Sequence, residues 1–187
     1  MDSNYCIDSS RIFATGKSNG GGMVDLLACS RNHGGAFAAF APVIGAYYRD
    51  LNTSKCQPPN SPTPILEFHG LSDERIPYAG GHGEEGAPLP PVLDWLHRWA
   101  QRDGSPDDTI PTVKNLSSYD IVSYTCNDVP NIVQHYAVHN WGHEWPKKNQ
   151  TTGIGIDASR IILSFFRSHA KGQQTNQLES IQVPSNE

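Results

Sequence analysis

No apolar run in the 187 residues reaches the roughly 20 that a membrane-spanning helix needs. The first residues, Met1-Asp2-Ser3-Asn4-Tyr5-Cys6, carry neither a basic region nor an apolar core, so the sequence as it stands shows no signal peptide. Charged residues make up only 18%, the net charge is -5 and no basic cluster exists, which argues against a nucleic-acid partner. The four cysteines, Cys6, Cys29, Cys56 and Cys126, form no C-x-x-C pair, which argues against zinc and thioredoxin-type chemistry. There is no internal repeat. An even number of cysteines in a chain with 14 prolines fits disulfides and an oxidising compartment. Three N-glycosylation sequons, at Asn52, Asn115 and Asn149, fit the same compartment. The length suits one domain with a sizeable core.

What is present centres on residues 11 to 28. Ile12 to Ala14 is an apolar run that reads as a buried strand. Met23, Val24, Leu26 and Leu27 are spaced as the buried side of a helix. Between them, Gly16-Lys17-Ser18-Asn19-Gly20 matches G-x-S-x-G, the nucleophile elbow when a strand precedes it and a helix follows. Gly16 and Gly20 would remove Cβ atoms that collide in so tight a turn. Ser18 would then stand at the positive end of the helix, with the Asn19 backbone N–H as an oxyanion donor. Gly16-Lys17-Ser18 also matches the end of a phosphate-binding loop, but that motif needs a glycine where Arg11 stands. Gly20 to Gly22 reads as close packing of helix on strand.

Further on, Ala36 to Ile44 reads as a short buried strand whose end meets a proline, residues 45 to 64 as a loop, and Ile65 to Gly70 as the next strand. Residues 79 to 91 read as a Gly/Pro-rich crossing loop. Val92, Leu93, Leu96 and Trp99 form the apolar face of a helix with Trp95 on its flank. Residues 103 to 117 read as polar loop. Tyr119 to Cys126 and Ile132 to Val138 read as a hairpin. Asp157 caps a last helix that buries Ile161, Ile162, Phe165 and Phe166. From Lys171 the composition is that of a disordered tail, which leaves residues 1–170 as the domain.

A serine nucleophile needs a base, and the base a carboxylate to orient it. In the chain order Ser, acid, His, the loop leaving the Ile65 strand offers Asp73, with Glu74 beside it as ordinary loop charge. The late loop Asn140-Trp141-Gly142-His143-Glu144-Trp145-Pro146 offers His143 as base. His69, His135 and His139 read as packed against neighbours. Cys29 ends the nucleophile helix and Cys56 lies on the loop after the next strand, so these two are expected to pair.

The blocks Cys6 to Gly21, Phe68-His69-Gly70-Leu71-Ser72-Asp73 and Trp141-Gly142-His143-Glu144-Trp145-Pro146, in this order, resemble the secreted feruloyl esterase family, related to polyhydroxybutyrate depolymerases and some acetylxylan esterases. The resemblance runs over roughly residues 5 to 170. It implies an α/β-hydrolase, a mainly parallel sheet flanked by helices, that cleaves ferulate esters of plant cell-wall arabinoxylan outside the cell. Ser18, Asp73 and His143 would be its triad, with no metal and no organic cofactor. The implied partner is a feruloylated polysaccharide or a small ester, with no nucleic acid and no membrane. Tyr78, Trp141 and Trp145 would stack on a feruloyl ring or a sugar, or simply pack. A polyhydroxyalkanoate depolymerase or acetylxylan esterase would use the same triad, and a non-catalytic fragment is the alternative of another kind. Members of the family begin well upstream. The expectation is therefore a C-terminal portion of the fold lacking its first strands, with the elbow strand at an open edge and one oxyanion donor missing. Where relatives often carry a cysteine after the Trp95 helix, Gly104-Ser105 stands here, which leaves Cys126 without an assigned partner; Cys6 is expected to have paired upstream and is left unassigned too.

Overall fold

The computed structural model describes residues 6–48, 56–83, 86–148 and 155–172. The sequons at Asn52 and Asn149, and the tail beyond Gly172, lie outside the described residues. Among the described residues eight strands are formed: β1 (Phe13–Lys17), β2 (Ala39–Val43), β3 (Ile65–Gly70), β4 (Gly81–His82), β5 (Pro88–Leu89), β6 (Thr112–Asn115), β7 (Tyr119–Cys126) and β8 (Val129–Val138). Three helices, α1 (Asn19–Ala28), α2 (Val92–Arg102) and α3 (Ala158–Ser168), complete the α/β arrangement. Six strands make one sheet in the order β1-β2-β3-β8-β7-β6, and β4 pairs with β5 separately. β1, β2, β3 and β8 run parallel, while β7 and β6 add on antiparallel.

Strand sequences follow coverage. β2 and β3 are buried at every position, as parallel strands covered on both faces should be. One core packs Ala39, Ala41, Leu66 and Phe68 against Phe165 and Phe166 of α3. The other packs Phe40 and Ile65 against Val24 and Ala28 of α1 and Trp95 and Trp99 of α2. Helices therefore cover both faces of the sheet. α2 joins α1 through Asp25, whose Oδ1 accepts from both indole N–H groups, of Trp95 and Trp99, at 2.9 Å each.

Several expectations need correction. In α1 the buried face is Gly21, Gly22, Val24, Asp25 and Ala28. Met23 and Leu26 are exposed, because glycine rather than leucine lets the helix sit close on the chain leaving β2. In α2 Trp95 is fully buried while Leu93 faces solvent. The 103–117 stretch is not all loop: β6 adds an edge strand whose four residues are all exposed, so no apolar alternation marks it. β2 continues through Pro42. Phe40 N–H donates to Pro64 O (3.0 Å) and Ile44 N–H to Phe68 O (2.7 Å), on either side of the place where proline has no N–H to give. The β7–β8 hairpin turns at Asn127-Asp128, both at positive φ (47° and 63°), the geometry that matches strand twist. Asp157 caps α3, its side chain accepting from Arg160 N–H at 3.1 Å. Cys29 and Cys56 are disulfide-bonded, with Cα atoms 4.5 Å apart, while Cys6 and Cys126 are free thiols.

Among the described residues β1 stands at the sheet edge with β2 as its one neighbour. Only Ala14 of its five residues is buried.

Candidate active site

The turn between β1 and α1 sets Ser18. Its backbone has φ 58° and ψ -122°, a conformation few residues other than glycine adopt. Hydrogen bonds hold it there. Ser18 N–H donates to Val43 O at 3.0 Å, and Ser18 O accepts from Gly22 N–H and Ala46 N–H at 3.1 Å each. The crowding is at Gly16, where a Cβ would lie 2.7 Å from the Gly20 carbonyl oxygen. A Cβ on Gly20 would meet nothing within 4 Å, so that glycine is not needed for space, contrary to expectation. Asn19 opens α1, and its N–H, like those of the next residues, has no acceptor within the helix.

Ser18 Oγ lies 2.9 Å from His143 Nε2, and His143 Nδ1 lies 2.8 Å from Asp73 Oδ2. Three segments far apart in sequence are thus joined in one chain of hydrogen bonds. Asp73 sits just past the end of β3 and is buried. Its Oδ1 accepts from Arg75 N–H (2.8 Å) and Ile76 N–H (2.9 Å), which leaves Oδ2 for the histidine. His143 follows β8 on a loop laid against the end of β3. Ser72 N–H donates to Trp141 O at 2.9 Å. Gly70 permits this approach: a Cβ there would overlap Trp141 O and lie 2.7 Å from Gly142 O. A hydroxyl donor, an imidazole and a buried carboxylate in series can move a proton off the serine oxygen.

The aromatic candidates are placed differently from one another. Trp141 is buried in the core, its indole N–H donating to Glu144 O at 2.7 Å. Trp145 is half-buried and donates to Ser159 Oγ at 3.1 Å. Tyr78 is half-buried, its hydroxyl 3.0 Å from His135 Nε2. Burial raises the Tyr78 pKa, so its hydroxyl stays neutral.

Sequence reasoning missed Glu67. It is fully buried beneath the acid loop, between His69 and His135. Burial alone would raise its pKa, but those two histidines hold it down to about 2. A glutamate and a histidine two apart inside a strand that reads as buried, Ile-Leu-Glu-Phe-His-Gly, were the available signal.

No protein-family profile matches the sequence. Curated relatives match part of it. A probable feruloyl esterase C from Aspergillus niger is 40% identical over 81 residues, 43% of this chain and 27% of that protein. Feruloyl esterase C from Emericella nidulans is 36% identical over 81 residues, with the same shares. Feruloyl esterase B from Piromyces equi is 36% identical over 109 residues, 56% of this chain and 20% of that protein. The matched stretch thus spans about a quarter or less of each relative's length. At this level the chain is similar to feruloyl esterases, which are carboxylic-ester hydrolases.

Proposed function

We propose that the chain is a serine carboxylic-ester hydrolase of the α/β-hydrolase type that releases ferulate from feruloylated plant cell-wall polysaccharide. One observation supports this above the rest: the Ser18 hydroxyl, on a backbone at φ 58°, lies 2.9 Å from His143, which Asp73 holds from behind at 2.8 Å. The partial likeness to proteins named feruloyl esterases supports the acyl group.

In this reading His143 Nε2 takes the Ser18 proton as the oxygen attacks the ester carbonyl. Asp73 keeps the imidazole in the tautomer that presents a lone pair to the serine, and stabilises the imidazolium that forms. The Asn19 N–H donates to the oxyanion. The imidazolium then protonates the leaving alcohol, and water activated by the same base hydrolyses the acyl-enzyme. Tyr78 and Trp145, both half-buried, would contact an aromatic acid or a sugar. Secretion and N-glycosylation go with the disulfide and the sequons. Asn115 is exposed on β6, where a glycan would meet solvent.

Purified protein is tested on methyl ferulate, p-nitrophenyl acetate and polyhydroxybutyrate, beside Ser18→Ala. The expected result is hydrolysis of methyl ferulate that Ser18→Ala abolishes. Ser18-dependent cleavage of the acetate or the polyester alone would reassign the acyl group. No Ser18-dependent cleavage of any of the three would refute the reading.

A further inference from the structure

Glu67, His69 and His135 are three ionisable side chains buried together in the sheet, and none of them takes a direct part in the reaction above. Glu67 is the centre. Its Oε1 accepts from the Tyr47 hydroxyl at 3.2 Å and faces His69 Nδ1 at 3.1 Å. Its Oε2 faces His135 Nδ1 at 2.5 Å, and His135 Nε2 meets the Tyr78 hydroxyl. His69 Nε2 meets the Ile76 carbonyl oxygen at 2.8 Å and lies 3.9 Å from Asp73 Oδ2. Among the described residues no three such side chains are arranged to hold a metal ion. These groups are engaged with one another.

The partners of His69 decide its protonation. One ring nitrogen faces a carboxylate oxygen and the other a peptide carbonyl, and neither acceptor has a proton to give. A neutral imidazole has a single N–H, so one of these contacts would set lone pair against lone pair in a buried place. Two N–H groups satisfy both. The Glu67 carboxylate is then the counter-ion. Burial works against a charged ring, but Glu67 foremost, then the Ile76 carbonyl and Asp73, raise the His69 pKa above the ordinary histidine value. The Tyr78 ring lies 5.7 Å away edge-on, burial keeps Tyr47 and Tyr78 neutral, and His135 stands beyond Glu67.

We propose that His69 is a positioning residue: a buried imidazolium that fixes the loop carrying Asp73 and aims the Asp73 carboxylate at His143. Its service to catalysis rests on the esterase reading; its charge does not. Ile76 is held from both ends, its N–H on Asp73 Oδ1 at 2.9 Å and its carbonyl on His69. That grip aims Asp73 Oδ2 at His143. The charge also acts directly on Asp73 Oδ2 across 3.9 Å, which helps hold that oxygen in place.

Long-range proton–nitrogen spectra of protein with labelled histidines read each ring directly. At about pH 8, above the ordinary histidine range, both His69 nitrogens should carry protons. A single protonated nitrogen there would overturn the proposal. His69→Gln removes the charge. Glu67→Gln removes the counter-ion and keeps the shape, so it serves if the first variant does not fold. In Glu67→Gln the His69 ring should lose its second proton near neutral pH. In His69→Gln kcat should fall about tenfold near neutral pH with KM within about twofold, and by less in Glu67→Gln. Wild-type kcat in folded variants would reduce His69 to packing and overturn the positioning role. A wild type that hydrolyses no ester, yet shows the doubly protonated His69, would sink the esterase reading alone.

Discussion

Asp73→Asn tests how a single atom sets the histidine tautomer. Oδ1 accepts two backbone N–H groups, so an asparagine would keep its oxygen there and turn its NH2 toward His143. Two donors cannot face each other, so Nδ1 would give up its proton and Nε2 would carry one toward Ser18. The ring would then be no base, and kcat should fall about 10⁴-fold near neutral pH while the thermal melt stays close to wild type. Another buried acid matters to stability. Asp103 Oδ1 accepts from Thr63 N–H at 2.8 Å, while Oδ2 is buried with no hydrogen bond. Burial pushes its pKa from 3.8 up to about 7. The unfolded chain ionises it near the lower value and the folded chain near the higher. Stability is therefore lost as pH rises through this window, and is unaffected by Asp103 below it. Melts across about pH 4 to 8 should show this decline in wild type, and a flatter profile in Asp103→Asn, by roughly 2–4 kcal/mol at the alkaline end. Ser18, Asp73 and His143 were legible because each sits in a local context, a glycine turn or a strand end. Glu67 was not, because its partner His135 lies 68 residues away and only folding brings them together.

Gly70 is where β3 meets the loop after β8, and it is the element contact on which the site depends most. In Gly70→Ala the new methyl would overlap Trp141 O, so the loop bearing His143 must move away. Misplacement by about 1 Å costs roughly a hundredfold in rate. Steady-state kinetics should show that loss in kcat, with a lowered melting temperature as well. Rates equal to wild type would show that the loop yields without disturbing the histidine. The helices and buried strands were readable from periodicity and caps. What failed did so for identifiable causes. The inner face of α1 is lined by glycine and by Asp25, whose indole partners come from α2, 70 and 74 residues on. β6 is exposed throughout, so nothing in its pattern separates it from loop.

Over the whole molecule, protection should follow the sheet order. β3 is paired on both sides and buried at every position, whereas β6 has one neighbour and is fully exposed. Hydrogen exchange should be slowest in β3 and β2, and faster in β1 and β6. Protection of β1 equal to that of β3 would mean that another strand pairs with its free edge in solution. The parallel core was legible as consecutive apolar residues; the order of its strands was not, since order depends on pairings between distant segments. Those distances have a consequence in time. β3 aligns with β8 by joining Ile65 to Val133, and Ser18 meets His143 across 125 residues of chain. Closing such spans costs entropy before any contact repays it, so the helices and the β7–β8 hairpin should form long before the parallel strands find their register. Ser18 therefore meets His143 only in the last event of folding, and on the esterase reading proposed above activity should reappear during refolding with the slowest phase.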